Sequence, residues 1–196
     1  MNKIDASGAI LIGGNSRRFG LDKSKLDWQG TALPVSLFHR LDTILTEVFF
    51  IADHKEKING FQQYMFTDIL TNNGPLGGIH SALKHSHYDY TFITAGDLPF
   101  LDTALIPLLF NEIQDEDALV PVWGTNMEPL VAFYHKRCLP VLEEELKQQQ
   151  REVHASLKKL TTQFLDLTRY YTIPQIKKIF FNINRPEDYQ QALKMI

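Results

Sequence analysis

Apolar residues fall into short blocks along the chain. Residues 9–12, 48–52, 90–95, 118–122 and 129–134 are each mostly apolar and four to six residues long. Blocks of that length bounded by turn formers read as buried strands. Shorter signals at 64–66 and 179–183 predict two more. Between the blocks, apolar residues recur at helical spacing, as with Val35, Phe38, Leu41, Ile44 and Leu45 in the first. The helices predicted this way cover 34–46, 76–87, 104–113, 138–150, 151–160 and 187–194. Pro34 suits a first helical turn, and Pro186 followed by Glu187 and Asp188 suits another. Residues 28–31, Trp-Gln-Gly-Thr, read as a hairpin tip. Strands alternating with helices predict an α/β fold: three layers, with a mainly parallel twisted sheet and helices on both faces. Strands 118–122 and 129–134, joined by a Gly124-Thr125-Asn126 turn, are expected to pair antiparallel.

The residues with chemical potential cluster just beyond the strand ends. The first strand runs into Gly13-Gly14-Asn15-Ser16-Arg17-Arg18-Phe19-Gly20-Leu21-Asp22-Lys23. Glycines let the backbone approach a ligand closely, and successive N–H groups in such a loop form a concavity for anions. Arg17, Arg18 and Lys23 add full positive charge. The pattern is neither the Walker motif nor the dinucleotide fingerprint. The second strand ends at Asp53, which is either a nucleoside contact or a solvated loop carboxylate. Asp68 comes after the short block at 64–66. Residues 72–78, Asn-Asn-Gly-Pro-Leu-Gly-Gly, then open a helix, and helix N-termini favour anions. The strand at 90–95 ends in Gly96-Asp97-Leu98-Pro99. A carboxylate there is well placed for Mg²⁺, a hard cation that takes oxygen ligands. Asp97 as a helix cap is the bland alternative, but Asp102 or Thr103 suits that role better. Near the C-terminus, Asn182 and Asn184 lie two apart and would share one face of a strand, or else cap the last helix.

Composition narrows the setting. The chain has 196 residues and a formal net charge of −3, which fits one domain over 1–196 and gives no general attraction for nucleic acid. Its single cysteine, Cys138, rules out an internal disulfide framework and a cysteine zinc cluster, and fits a reducing compartment. Residues 1–5 lack the apolar run of a signal peptide, and no block reaches the ~20 residues of a membrane helix. The expectation is a cytoplasmic protein, monomeric or weakly oligomeric, that contacts neither membrane nor nucleic acid.

The loop G-G-x-S-R-R-x-G-x-D-K resembles the signature of the nucleotidyltransferases with a sugar-nucleotide-type, Rossmann-like fold. Within them it is most similar to the molybdenum cofactor guanylyltransferases, whose usual form is L-A-G-G-x-S-x-R-M-G-x-D-K. Ile12 stands for the alanine and Phe19 for the methionine. Three later segments match the family in order: Gly74-Pro75-Leu76-Gly77-Gly78, Gly96-Asp97-Leu98-Pro99, and Asn182-Ile183-Asn184-Arg185-Pro186-Glu187-Asp188. Arg185 departs from the family's threonine. A segment corresponding to 129–134 helps wall the family's site.

The resemblance implies transfer of GMP from GTP to the terminal phosphate of molybdopterin, with release of pyrophosphate. It implies Mg²⁺ held by Asp97, and nucleotide contacts from Leu11, Ile12, Gly13, Gly14, Lys23, Asp68 and Asp97. Acceptor contacts are expected from Gly77, Gly78, Asn182 and Asn184, and transient contacts with other cofactor-biosynthesis proteins. The expected catalytic residues are Arg17, Lys23 and Asp97, with Arg18 as a third cation beside them. The base is read from resemblance alone: Gly13-Gly14 fits the guanine-using members, whereas the cytidine-using ones tend to carry Ala-Gly. The alternatives are a cytidylyltransferase acting on the molybdenum cofactor or another small phosphate-bearing acceptor, and a non-catalytic nucleotide-binding regulator. The latter is expected to lose Lys23 or Asp97, and both are present.

Overall fold

The computed structural model describes residues 3–12, 26–55, 57–70 and 72–196. Its strands are β1 (Ile4–Leu11), β2 (Asp27–Trp28), β3 (Thr31–Ala32), β4 (Leu45–Ala52), β5 (Met65–Thr67), β6 (Tyr90–Ala95), β7 (Ala118–Trp123), β8 (Asn126–Met127), β9 (Val131–His135) and β10 (Thr162–Asp166). The helices are α1 (Leu33–Asp42), α2 (Gly74–His85), α3 (Leu105–Glu112), α4 (Leu139–Lys147), α5 (Val153–Leu157), α6 (Ile173–Ile179) and α7 (Pro186–Leu193).

The main sheet has the order β10-β7-β9-β6-β1-β4-β5, with β8 paired to β7, while β2 and β3 form a separate hairpin. β1 pairs parallel with β4 and β6, and β4 pairs parallel with β5. β9 runs against both β6 and β7. The expected α/β architecture is present, with the antiparallel pair at the two predicted strands.

The central strands read as unbroken apolar runs because both their faces are covered. Alternate residues divide between two cores. Ile10, Phe50 and Phe92 pack with Phe38, Leu105 and Ile176 under α1, α3 and α6. Ala9, Phe49 and Ile93 pack with Leu76, Ile79, Leu142 and Val153 under α2, α4 and α5. A smaller cluster of Trp28, Leu33, Ile183 and Ala192 ties the hairpin to the C-terminal segment. There Trp28 and Phe100 meet edge to face at 5.5 Å, and the Tyr189 hydroxyl donates to the Asp27 carbonyl at 2.9 Å.

Several elements differ from expectation. The strand expected over 179–183 is absent. Ile179 closes α6, which buries Ile176 and Ile179 three apart, and residues 181–184 have no ladder partner. β10 is an addition to the predicted elements. It lies at the sheet edge beside β7 alone, and its Phe164 is 48% exposed. The first helix stops at Asp42, because Leu45 already belongs to β4. The helix expected over 151–160 is confined to Val153–Leu157.

Candidate functional site

From β1 the chain steps outward through β4 to β5, then returns to β6 on the other side of β1. In open α/β sheets, ligands bind outside the carboxyl ends of strands where the order reverses in this way. That crevice lies between the ends of β1 and β6. Leu11 sits opposite Ala95. Beyond the ladder, the Gly96 N–H donates to the Leu11 carbonyl at 3.0 Å and the Ile12 N–H to the Ile51 carbonyl at 3.0 Å. A Cβ on Gly96 would lie 2.6 Å from Ile12 Cγ2, so the turn into Asp97 is tight against the end of β1. The chain then enters residues 13–25. Gly13, Gly14, Arg17 and Lys23, and with them Arg18, lie outside the described residues.

Asp97 is half-buried on the β6 side of the crevice. Its carbonyl accepts from the Ile183 N–H at 3.0 Å, which draws residues 181–184 alongside the Gly96-Asp97 turn. Ile183 is fully buried, while Asn182 and Asn184 are exposed on either side of it. The two asparagines therefore emerge beside Asp97, on a segment held there by the Ile183 backbone bond and its buried side chain rather than by a strand ladder. Capping of α7 falls to Asp188, whose Oδ2 accepts from the N–H groups of Asn184 and Arg185, each at 2.8 Å.

On the other side of β1, Asp68 stands just past the end of β5, its N–H bonded to the Ala52 carbonyl at 2.8 Å. Asp68 Oδ1 accepts from Ser81 Oγ at 2.7 Å and from the Leu70 N–H at 3.3 Å. Ser81 is a residue that sequence reasoning misses. The only signal for it is its place one turn after Gly77 on the same helix face.

Gly77 and Gly78, expected on the acceptor side, are buried in α2. A Cβ on Gly78 would lie 3.1 Å from Leu11 Cδ1. One on Gly77 would lie 3.0 Å from both Asn73 Cβ and the Leu70 carbonyl oxygen. Their side-chain positions face protein, and their small size lets α2 approach β1 and the 68–70 turn.

The other singled-out residues stand apart from this crevice chemistry. Asp53 at the end of β4 is ion-paired with Lys57 and with His54, each at 2.9 Å. Burial pushes its carboxyl up, but Lys57 and His54 outweigh burial and hold it below the ordinary value. Arg151 is exposed in the loop before α5. Burial pushes the Cys138 thiol up to about 12, so it is no nucleophile. Among the described residues no three His, Cys, Asp or Glu side chains gather as a metal site.

The family model for the MobA-like NTP transferase domain matches residues 8–163. The chain belongs to that family. A probable molybdenum cofactor guanylyltransferase of Natranaerobius thermophilus is 34% identical over 202 residues, covering 98% of this chain and 97% of the relative. The molybdenum cofactor guanylyltransferase of Desulfosudis oleivorans is 32% identical, covering 95% and 93%. The crystal structure of molybdopterin-guanine dinucleotide biosynthesis protein A from Archaeoglobus fulgidus superposes with a TM-score of 0.83 at 25% identity, covering 96% and 97%. The fold is thus that of a MobA-like nucleotidyltransferase. The match to the family model includes Leu11, Asp68 and Asp97 and stops before Asn182 and Asn184, which the full-length relatives span.

Proposed function

We propose that this nucleotidyltransferase moves GMP from GTP to the terminal phosphate of molybdopterin, releasing pyrophosphate and forming the guanine dinucleotide form of the molybdenum cofactor. The observation that carries this reading is 34% identity across 98% of the chain to a relative named for that activity. The crevice between β1 and β6 supports it, since it offers a half-buried carboxylate at a strand end and leads into the Gly-rich basic segment 13–25.

The reaction is an in-line displacement. An oxygen of the acceptor phosphate attacks the α-phosphorus, the α–β bridging P–O bond breaks, and pyrophosphate leaves with the electron pair. The attacking oxygen is already anionic, so no general base is needed. Positioning and charge stabilisation supply most of the catalysis in such transfers. Asp97 would hold Mg²⁺, and the donor set fits: one hard oxygen donor, with phosphates and water completing the shell as Mg²⁺ prefers. The bound ion would neutralise charge on the triphosphate. Lys23 and Arg17 would stabilise the leaving pyrophosphate, Leu11 to Gly14 would line the nucleotide, and Asn182 and Asn184 would face the acceptor.

The test is pyrophosphate release with molybdopterin as acceptor, comparing GTP, CTP and ATP with Mg²⁺ and with chelator. The expected outcome is GTP-specific turnover that chelation abolishes. Preference for CTP would move the protein to the cytidine branch. Tight GTP binding without turnover would make it a nucleotide-binding regulator.

A further inference from the structure

The turn after β5 is more tightly organised than a surface loop requires. Ser81 lies on α2 and is fully buried. Its hydroxyl donates to Asp68 Oδ1 at 2.7 Å and accepts the Ile69 N–H at 2.9 Å. The Leu70 N–H donates to the same carboxylate oxygen at 3.3 Å. Asn73 Nδ2 donates to the Leu70 carbonyl at 3.2 Å, and Gly77 lets that carbonyl approach the helix. Every one of these bonds fixes the turn or Oδ1. Among the described residues none goes to Oδ2, which lies toward Gly77: a Cβ there would be 3.6 Å away.

We infer that Ser81 is a positioning residue for nucleotide selection: it locks Oδ1 of Asp68 so that Oδ2 is presented to hydrogen-bond donors of the bound nucleoside. The inference rests on the nucleotidyltransferase reading above. A solvated loop carboxylate needs no buried hydroxyl to orient it, whereas Ser81 spends both its donor and an acceptor site on this turn from a fully buried position. Asp68 lies at the end of β5, two strands from β1 and its crevice with β6, and a carboxylate repels phosphate. Its partner is therefore the N–H or O–H groups of base or sugar, not the triphosphate. Because Ser81 is buried behind the Asp68 turn, its effect passes through Asp68.

The experiment measures dissociation constants of the intact protein for GTP, CTP, ATP, UTP and inorganic tripolyphosphate. The variants are Ser81→Ala, Asp68→Ala and the double variant, each with a thermal melt. Loss of an oriented, charge-assisted hydrogen bond is expected to weaken binding of the preferred nucleotide about tenfold in Ser81→Ala. Tripolyphosphate binding is expected to stay as in the wild type, which a general loosening of α2 would not allow. In the Asp68→Ala background, Ser81→Ala is expected to add nothing further, the mark of residues acting as one unit. Comparing 2′-deoxy-GTP with ITP then separates a sugar donor from the base's amino group. Should Ser81→Ala not fold, Ser81→Cys keeps the volume and weakens the bond, and it carries the same expectations with a smaller loss. Wild-type affinity in a folded Ser81 variant, or a Ser81→Ala loss that persists without Asp68, would overturn the inference while leaving GTP binding intact. Preference for CTP would instead overturn the guanine reading, with the Ser81 coupling then read on CTP. Failure to bind any nucleotide would overturn both.

Discussion

Gly96 and Asp97 show how closely chemistry and packing share single positions. A methyl group at Gly96 would meet Ile12 Cγ2 at 2.6 Å and the Leu11 carbonyl oxygen at 3.4 Å. Ile12 is β-branched and stiff at χ1, so relief must come from the backbone that leads into residues 13–25. Gly96→Ala is expected to cost about 1–3 kcal/mol by overpacking, read by chemical denaturation, and to lower kcat because Asp97 moves with the turn. Wild-type kcat in that variant would show that the turn tolerates displacement. Asp97→Ala is the complementary case. The side chain is half-buried and its carbonyl bond to Ile183 belongs to the backbone. That backbone bond survives the substitution, and in the folded variant turnover is expected to fall roughly a hundredfold or more, as when a positioned charge partner is lost. A turnover near wild type would remove Asp97 from the proposed metal site.

The elements explain which parts of the fold are legible in the sequence. β1, β4 and β6 are buried on both faces, so their apolar runs announce them without a partner in view. Asp97 is legible because Gly96 and Pro99 mark the end of such a strand. β10 is an edge strand with Phe164 turned to solvent, and its alternation is too weak to distinguish it from a loop. Residues 179–183 carry an apolar density that reads equally as strand or helix. What decides is tertiary: Ile176 and Ile179 enter one core from α6, while Ile183 enters another beneath the hairpin. The pairing of Ser81 with Asp68 is likewise invisible, since it joins a helix to a turn whose geometry no local pattern encodes. The segment carrying the asparagines depends on Ile183, which is fully buried against Trp28, Leu33 and Ala192. Ile183→Ala is expected to cost about 2–4 kcal/mol. It should also raise KM for the acceptor more than for GTP, because it loosens Asn182 and Asn184 and leaves the β5 side untouched. Equal changes in both KM values would mean that the segment does not serve the acceptor alone.

Across the whole molecule, the two ends of the sheet divide the work. The crevice, Asp68 and Asp97 lie at the carboxyl ends of the parallel strands. At the amino ends lies a cavity of about 440 Å³, lined in part by Glu47, Tyr64, Phe66 and His87. There Glu47 accepts hydrogen bonds from the buried Ser7 hydroxyl and from the His87 N–H, the latter at 3.0 Å, and meets the His87 ring. Burial pushes the Glu47 carboxyl up, but the bonds from Ser7 and His87 outweigh it and hold the carboxyl below its ordinary value of 4.5. The sign comes from linkage. A carboxyl with a depressed folded value binds fewer protons than in the unfolded chain. Its stabilisation is fully present above the unfolded value and is lost as pH falls through the folded one. Glu47→Gln is therefore expected to cost about 1.5–3 kcal/mol at pH 7, the worth of hydrogen bonds to a charged group. That deficit should shrink as pH falls below about 4.5, as denaturation curves at both pH values would reveal. Glu47 lies five positions before Ala52 at the ligand end of β4, about 17 Å along the strand. In the range where the variant remains folded, its kcat and its KM for GTP should match those of the wild type. A deficit of the same size at pH 7 and well below pH 4.5 would show that Glu47 stabilises through shape rather than charge. A change in kcat would show that the two ends of the sheet are coupled.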